Sequence, residues 1–324
     1  MIRFFCSSLL LLRASGTSQD SATALLDDSC GDAPVSLVQS RAFDRRAASS
    51  QLRSPPWEQG FYFVGAHHKA GSQLLRDVMR HGFDALGAPG SCRWGGSFSD
   101  SYITTAPHDD PCQGNPNAPI QWDNNAKIAN FLAAKAMAAS RGQSIRGAHS
   151  VRKPKDMLVS AYCYHHRGKE FGNPMAPWPE IMAMGPEEGM MALWPMMSFT
   201  IQDMVNLYTG TTAEEMFHVR FEEIAPSSEG FDRVVQSLFH FLFAPMVSEA
   251  DLQRSWQAAK VEDLNVDPNF TNAIAEAGHG SDDECLKAGQ EAMMRLDPRL
   301  VQQLKDWQAL LGYSTENWPD PIIG

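Results

Sequence analysis

Lys69-Ala70-Gly71-Ser72 is the segment of this chain whose residue types and spacing point most directly to chemistry. It follows an apolar run of strand character, Phe61-Tyr62-Phe63-Val64, and precedes an amphipathic stretch from Leu74 to Phe83. A strand that turns through small residues into a helix suits an anion, because first-turn N–H groups lack intrahelical partners and the helix dipole is positive there. Lys69 adds a full charge at the same place, so the loop predicts a site for a phosphate-like group. Read alone, four such residues also fit an ordinary glycine turn before a helix. The spacing disfavours a Walker A loop, which needs Lys directly after its second Gly. Here Lys69 comes two residues before Gly71. A second segment supplies matching chemistry, with a short strand ending at Arg152, a Pro154 turn and a helix opening near Lys155-Asp156. Pro is tolerated in a first helical turn because its missing N–H would be unpaired there anyway. Arg152 offers a planar fork and Ser160 a hydroxyl, and the two could converge on one phosphate.

The order K-x-G-[ST] at Lys69, Gly71 and Ser72 resembles the 5′-phosphosulfate loop of sulfotransferases that use the donor PAPS. Arg152, Pro154, Asp156, Ser160 and Tyr162 fall in register with that family's 3′-phosphate motif, R-[DNK]-P-[RK]-D-x-x-x-S-x-Y. Glu215 to Ile224 is similar to its later strand, V-R-[YF]-E-D-L, and a helix follows as in the family. The three motifs occur in the family's order. The resemblance implies that Lys69 stabilises the leaving group and that Ala70, Gly71, Ser72, Gln73 and Leu74 hold the 5′-phosphate, largely through backbone N–H groups. It implies that Arg152 and Ser160 hold the 3′-phosphate, that PAPS is the donor and PAP the product, and that no metal is required. It also implies a His or Glu base that deprotonates a hydroxyl acceptor, with His108, its neighbour Asp109 and His68 as candidates. An imidazole of ordinary pKa can take such a proton at neutral pH. Two departures stand out. Phe221 replaces a Tyr whose hydroxyl reaches the adenine, and Gly278-His279-Gly280-Ser281 stands where the family has a basic R-K-G loop.

The whole chain bounds the partners. Its 324 residues, 43% of them hydrophobic, fit one α/β domain and a tail. A net charge of −11 argues against nucleic acid and, by repulsion, against a polyanionic acceptor. A small molecule or carbohydrate bearing a hydroxyl fits better. Residues 1–16 open with Arg3, continue through a nine-residue apolar run and end in small residues, as a signal peptide or short signal anchor does. Residues 17–56 read as a disordered stalk, and 57–324 as the sulfotransferase-like domain. These features predict the secretory pathway, either the Golgi lumen or secretion, with no membrane span beyond the N-terminal segment. The sequon Asn269-Phe270-Thr271 would be usable there. Cys92 and Cys112 bracket a Gly, Ser, Asp and Pro-rich loop and form the best-placed disulfide pair, while Cys163, inside a predicted helix, reads as simply buried.

Strands are expected near 60–66, 145–152 and 216–221. Helices are expected near 72–84, 124–140, 155–167, 229–243, 249–260 and 297–311, with an irregular insertion at 87–122. Alternating strands and helices predict an α/β fold: a central parallel β-sheet flanked by helices, a P-loop-like 5′-phosphosulfate loop and a helical C-terminal part. Ligands then bind beyond the carboxyl ends of the strands, where Lys69 and Arg152 both fall. Residues 175–204 hold eight of the sixteen Met, which suits either an acceptor wall or helix packing, with packing favoured. His149 reads as a strand residue against the sheet, and His165 and His166 as helix-end residues where positive charge is favoured. The competing readings are an atypical P-loop kinase and a non-catalytic nucleotide- or glycan-binding relative.

Overall fold

The computed structural model describes residues 54–88, 119–172, 174, 176–244, 246–266 and 282–320. The N-terminal segment, His108, Asp109, the Cys92 and Cys112 pair, the sequon and the 278–281 loop all lie outside these residues.

A one-turn helix α1 (Pro56–Gln59) leads into β1 (Gly60–Gly65), which is followed by α2 (Ser72–Ala85), β2 (Ile120–Asp123), α3 (Ile128–Ser140) and β3 (Ser144–Val151). Next come α4 (Pro154–His166), α5 (Pro186–Thr209), β4 (Met216–Arg220), the one-turn α6 (Phe221–Ile224) and α7 (Ser228–Phe243). The C-terminal part is helical: α8 (Glu249–Ala259), α9 (Asp283–Met293) and α10 (Pro298–Leu310). The four strands form one parallel sheet in the order β2-β1-β3-β4. Every residue of β1 is buried, as a central parallel strand covered on both faces requires. Alternation then divides its side chains. Tyr62 and Val64 join α2, α7 and α8, whereas Phe61 and Phe63 pack with Phe131 of α3. A third cluster joins α4 and α5 to α9 and α10. There Met190, Met197 and Met204 of α5 are all fully buried, so the methionine-rich stretch is helix packing over these residues. Among the described residues no helix is long and apolar enough to cross a membrane.

Three expectations are corrected. The end of the supposed irregular insertion is β2, whose four residues pair with β1 from Tyr62↔Ile120 to Gly65↔Asp123. A strand this short carries no readable periodicity, and its pairing with β1 defines it. The last strand stops at Arg220, and Phe221 instead opens the turn α6. Cys163 is not simply buried. It forms a disulfide with Cys285, tying α4 to α9 across 122 residues of sequence.

Candidate functional site

The strand order reverses at β1, with β2 on one side and β3 on the other. In open parallel sheets the crevice at such a reversal, beyond the carboxyl ends, takes the ligand. The loop after β1 and the segment after β3 therefore meet at that crevice. The β1 loop is tight, with the Ala70 N–H donating to the His67 carbonyl at 2.9 Å. Lys69 and Gly71 both take left-handed backbone, with φ of 64° and 84°. Gly71 caps α2 without a side-chain hydrogen bond, so no side chain at the cap occupies the first-turn N–H groups. A Cβ at this position would meet the Phe221 ring at 2.8 Å, so glycine is demanded by both conformation and contact.

Arg152 joins the two motifs. It is 4% exposed, and its Nη1 donates to the Lys69 carbonyl at 3.0 Å and to Ser160 Oγ at 3.5 Å. Its guanidinium lies 4.3 Å from the centre of the Phe221 ring. Phe221 thus covers both the arginine and the glycine of the loop. Burial works against the charge of Arg152, and Asp156, Glu222 and Tyr313 offset it. Asp156 is itself fully buried, with Lys155 Nζ on its Oδ1 at 2.5 Å. Lys155 also reaches the Asp320 carbonyl at 2.9 Å, and Lys153 makes a close ion pair with the Asp320 carboxylate. The Pro-Lys-Asp part of the motif therefore anchors the start of α4 to the C-terminal segment.

On the other side of the loop, Lys69 Nζ sits 3.9 Å over the Tyr164 ring. Its pKa is pushed down to about 7, first by burial and then by Arg152, with Glu170 opposing and Arg167 adding. The His68 ring stacks on His165 at 5.4 Å. His165 was expected to be a charge-bearing helix end. Instead it is fully buried, and burial pushes its pKa down to about 4, so it is neutral near neutral pH. The ring of Phe221, the residue that replaces the family's Tyr, is engaged by Arg152 and faces Gly71.

A chain of three imidazoles lies in the same layer of the sheet. His67 Nε2 is 3.1 Å from His149 Nε2, and His149 Nδ1 is 3.0 Å from His218 Nδ1. His218 Nε2 is 3.4 Å from Thr211 Oγ1. The single hydroxyl proton of Thr211 goes to the Leu207 carbonyl at 2.8 Å, so towards His218 the oxygen accepts. This fixes every tautomer in turn. His218 donates from Nε2, His149 from Nδ1 and His67 from Nε2. The His67 pKa is pushed down to about 3 by burial, that of His149 lies well below the ordinary value, and that of His218 falls to about 4. All three are neutral, and they clamp the base of the β1 loop to β3 and β4.

Among solved structures, the chain is similar to mouse sulfotransferase SULT7A1 complexed with PAP, at 11% identity over 82% of this chain and 95% of that one, with a TM-score of 0.41. It is also similar to retinol dehydratase in complex with androsterone and inactive cofactor PAP, at 13% identity over 83% of this chain and 84% of that one, with a TM-score of 0.42. No protein-family model matches the sequence, and no curated protein matches it.

Sequence reasoning found Lys69, Gly71, Ser72, Arg152 and Ser160, which the fold brings to one crevice. It missed Tyr164, Glu170 and the reach of His165 into the Lys69 environment. The histidine chain had one readable signal, a His within or just past each of three strands.

Proposed function

We propose that this chain is a sulfotransferase that moves a sulfuryl group from PAPS to a hydroxyl acceptor, releasing PAP. The observation that carries the reading is the hydrogen bond from Arg152 to the Lys69 carbonyl at 3.0 Å, with Ser160 beside it. It joins the two sequence motifs that resemble the donor-binding elements of sulfotransferases. In this reading the N–H groups from Gly71 to Leu74 take the 5′-phosphate, and Arg152 with Ser160 takes the 3′-phosphate. The acceptor oxygen attacks sulfur, the bond from sulfur to the 5′-phosphate oxygen breaks, and that oxygen keeps the electron pair. Lys69 meets the charge developing there, which is where preorganised cations contribute most to catalysis. The acceptor's proton passes to a base, for which His68, His108 and Asp109 are the candidates. A small molecule or carbohydrate is the acceptor class that the net charge of −11 favours. The Cys163–Cys285 disulfide supports a secretory, oxidising compartment.

The test is a thermal shift of the full chain with PAP and, separately, with ATP and magnesium. PAP at about 100 times its dissociation constant raises stability by roughly 2.7 kcal/mol. The expected result is a PAP-selective rise that Arg152→Ala weakens at least tenfold in apparent affinity. No PAP shift, or a larger one with ATP and magnesium, overturns the reading.

A further inference from the structure

We propose that His68, His165 and Glu170 form a binding site for a divalent transition metal of the zinc class, beside Lys69. The inference goes beyond the sulfotransferase reading and rests on the side chains alone. One ligand atom from each of the three residues lies within 4.8 Å of the other two. They come from two separate elements, His68 from the loop after β1 and His165 and Glu170 from the end of α4 and the turn beyond it.

His165 is prepared as a ligand. Its Nδ1 faces the Lys169 carbonyl at 3.2 Å and must donate there, because a carbonyl only accepts. Nε2 is then the lone-pair nitrogen. It is buried, and no hydrogen-bond partner reaches it. An imidazole whose far N–H is held by a backbone carbonyl is the usual supporting arrangement for a metal-bound histidine. Glu170 is also supported, since the Tyr164 hydroxyl hydrogen-bonds its carboxylate. The Glu170 backbone is left-handed at φ 55°, an uncommon state for a residue with a side chain. Strain of this kind tends to persist at ligand clamps and active sites.

The donor set and its surroundings choose the metal. Two imidazoles and one carboxylate suit zinc, cobalt or nickel, whereas magnesium and calcium call for oxygen ligands. Lys69 and Arg167 lie close by, and both act on the electrostatics of this cluster. Their charge repels a cation held by a single carboxylate, so only a metal with strong affinity for imidazole competes. Ligands on a tetrahedral zinc with bonds of about 2.0–2.1 Å stand roughly 3.3 Å apart, so the three atoms must close by up to about 1.5 Å. Glu170 is only partly buried and can supply much of that movement by side-chain rotation. Three protein ligands leave at least one position open, and an oxygen donor such as an acceptor hydroxyl fits it.

The experiment uses the full chain, stripped with a chelator and titrated with Co2+, read by its visible d–d absorption and then by displacement with Zn2+. The expected result is one Co2+ per chain with four- or five-coordinate intensity, at least tenfold weaker in His165→Ala and in Glu170→Gln and unchanged in His166→Ala. Glu170 is only partly buried, so Glu170→Gln keeps the test valid if His165→Ala does not fold. Absence of d–d bands, or bands of full strength in Glu170→Gln and His165→Ala alike, overturns the site. A PAP thermal shift measured on the same metal-free preparations reports the donor site independently, so failure of one inference is distinguishable from failure of the other.

Discussion

Lowering the pH tests the histidine chain most directly. His149 is fully buried between His67 and His218, and its pKa lies well below 6.5 because burial and the two neighbouring imidazoles disfavour a charge. His218, part-buried with Arg220 nearby, is held to about 4. A folded pKa below the unfolded one means that the unfolded chain binds more protons as pH falls through 6.5. Stability is therefore fully present above that value and is lost on the way down to the folded pKa. At pH 5 an unfolded histidine of pKa about 6.5 is almost fully protonated while His149 is not, a difference of about 2 kcal/mol. His218 adds up to about the same, less a discount for its partial exposure. The sum is about 2–4 kcal/mol between pH 7.5 and 5. Urea unfolding of the full chain at half-unit pH steps should show the fall starting near 6.5. The other buried histidines act in the same direction, so the decisive comparison is with His149→Gln, which keeps an amide donor and acceptor but no titrating ring. Its curve should lie lower at pH 7.5 and should lose about 2 kcal/mol less on going to pH 5. A wild-type curve flat between these values, or a His149→Gln curve with the full wild-type fall, refutes the neutral chain and the tautomers derived for it.

Two further predictions follow from the covalent and steric features of the site. Reduction of the Cys163–Cys285 disulfide, which closes a 122-residue separation, should lower stability by up to about 4–5 kcal/mol on chain-entropy grounds. A non-reduced tryptic digest should yield the linked peptide pair, and free thiols at both positions would overturn the pairing. Gly71→Ala places a methyl at φ 84° and 2.8 Å from Phe221, and should weaken PAP binding at least tenfold in a protein that still folds. Adding Phe221→Ala should recover part of that loss, because the clash is removed while the left-handed backbone still costs about 1 kcal/mol. Simple additivity of the two changes would contradict the contact.

What was legible in the sequence is what the chain specifies locally. Lys69, Gly71 and Ser72 are contiguous, and their roles depend on one turn and one helix start. Arg152, Pro154, Asp156 and Ser160 likewise lie within nine residues. The meeting of the two motifs was illegible, because it depends on the order of strands. With β1 between β2 and β3, the ends of β1 and β3 are neighbours, and Arg152 can reach the Lys69 carbonyl. β2 was hidden for a related reason, since four residues acquire their identity as a strand from pairing with β1. His165 shows the same limit at a single residue. Two positions from Cys163 on a helix end, it could be cationic and solvated or neutral and buried, and only the packing of His68, Tyr164 and Trp178 around it decides. The histidine chain needs three strand ends in register, with Gly65 opposite His149 and His149 opposite His218. That register also explains why a loop of small residues can stay rigid enough to present its N–H groups. Its first residue, His67, is clamped by a hydrogen bond to β3 and accepts at its carbonyl from the N–H of Ala70 across the turn, and its arginine partner is fixed from α4. Removing the clamp at His149 should therefore weaken PAP binding even though His149 touches no ligand-facing group, whereas a purely local account of the loop expects no change. A PAP affinity in His149→Gln equal to wild type at pH 7.5, in a protein of native far-UV dichroism, would leave the loop to its own turn chemistry.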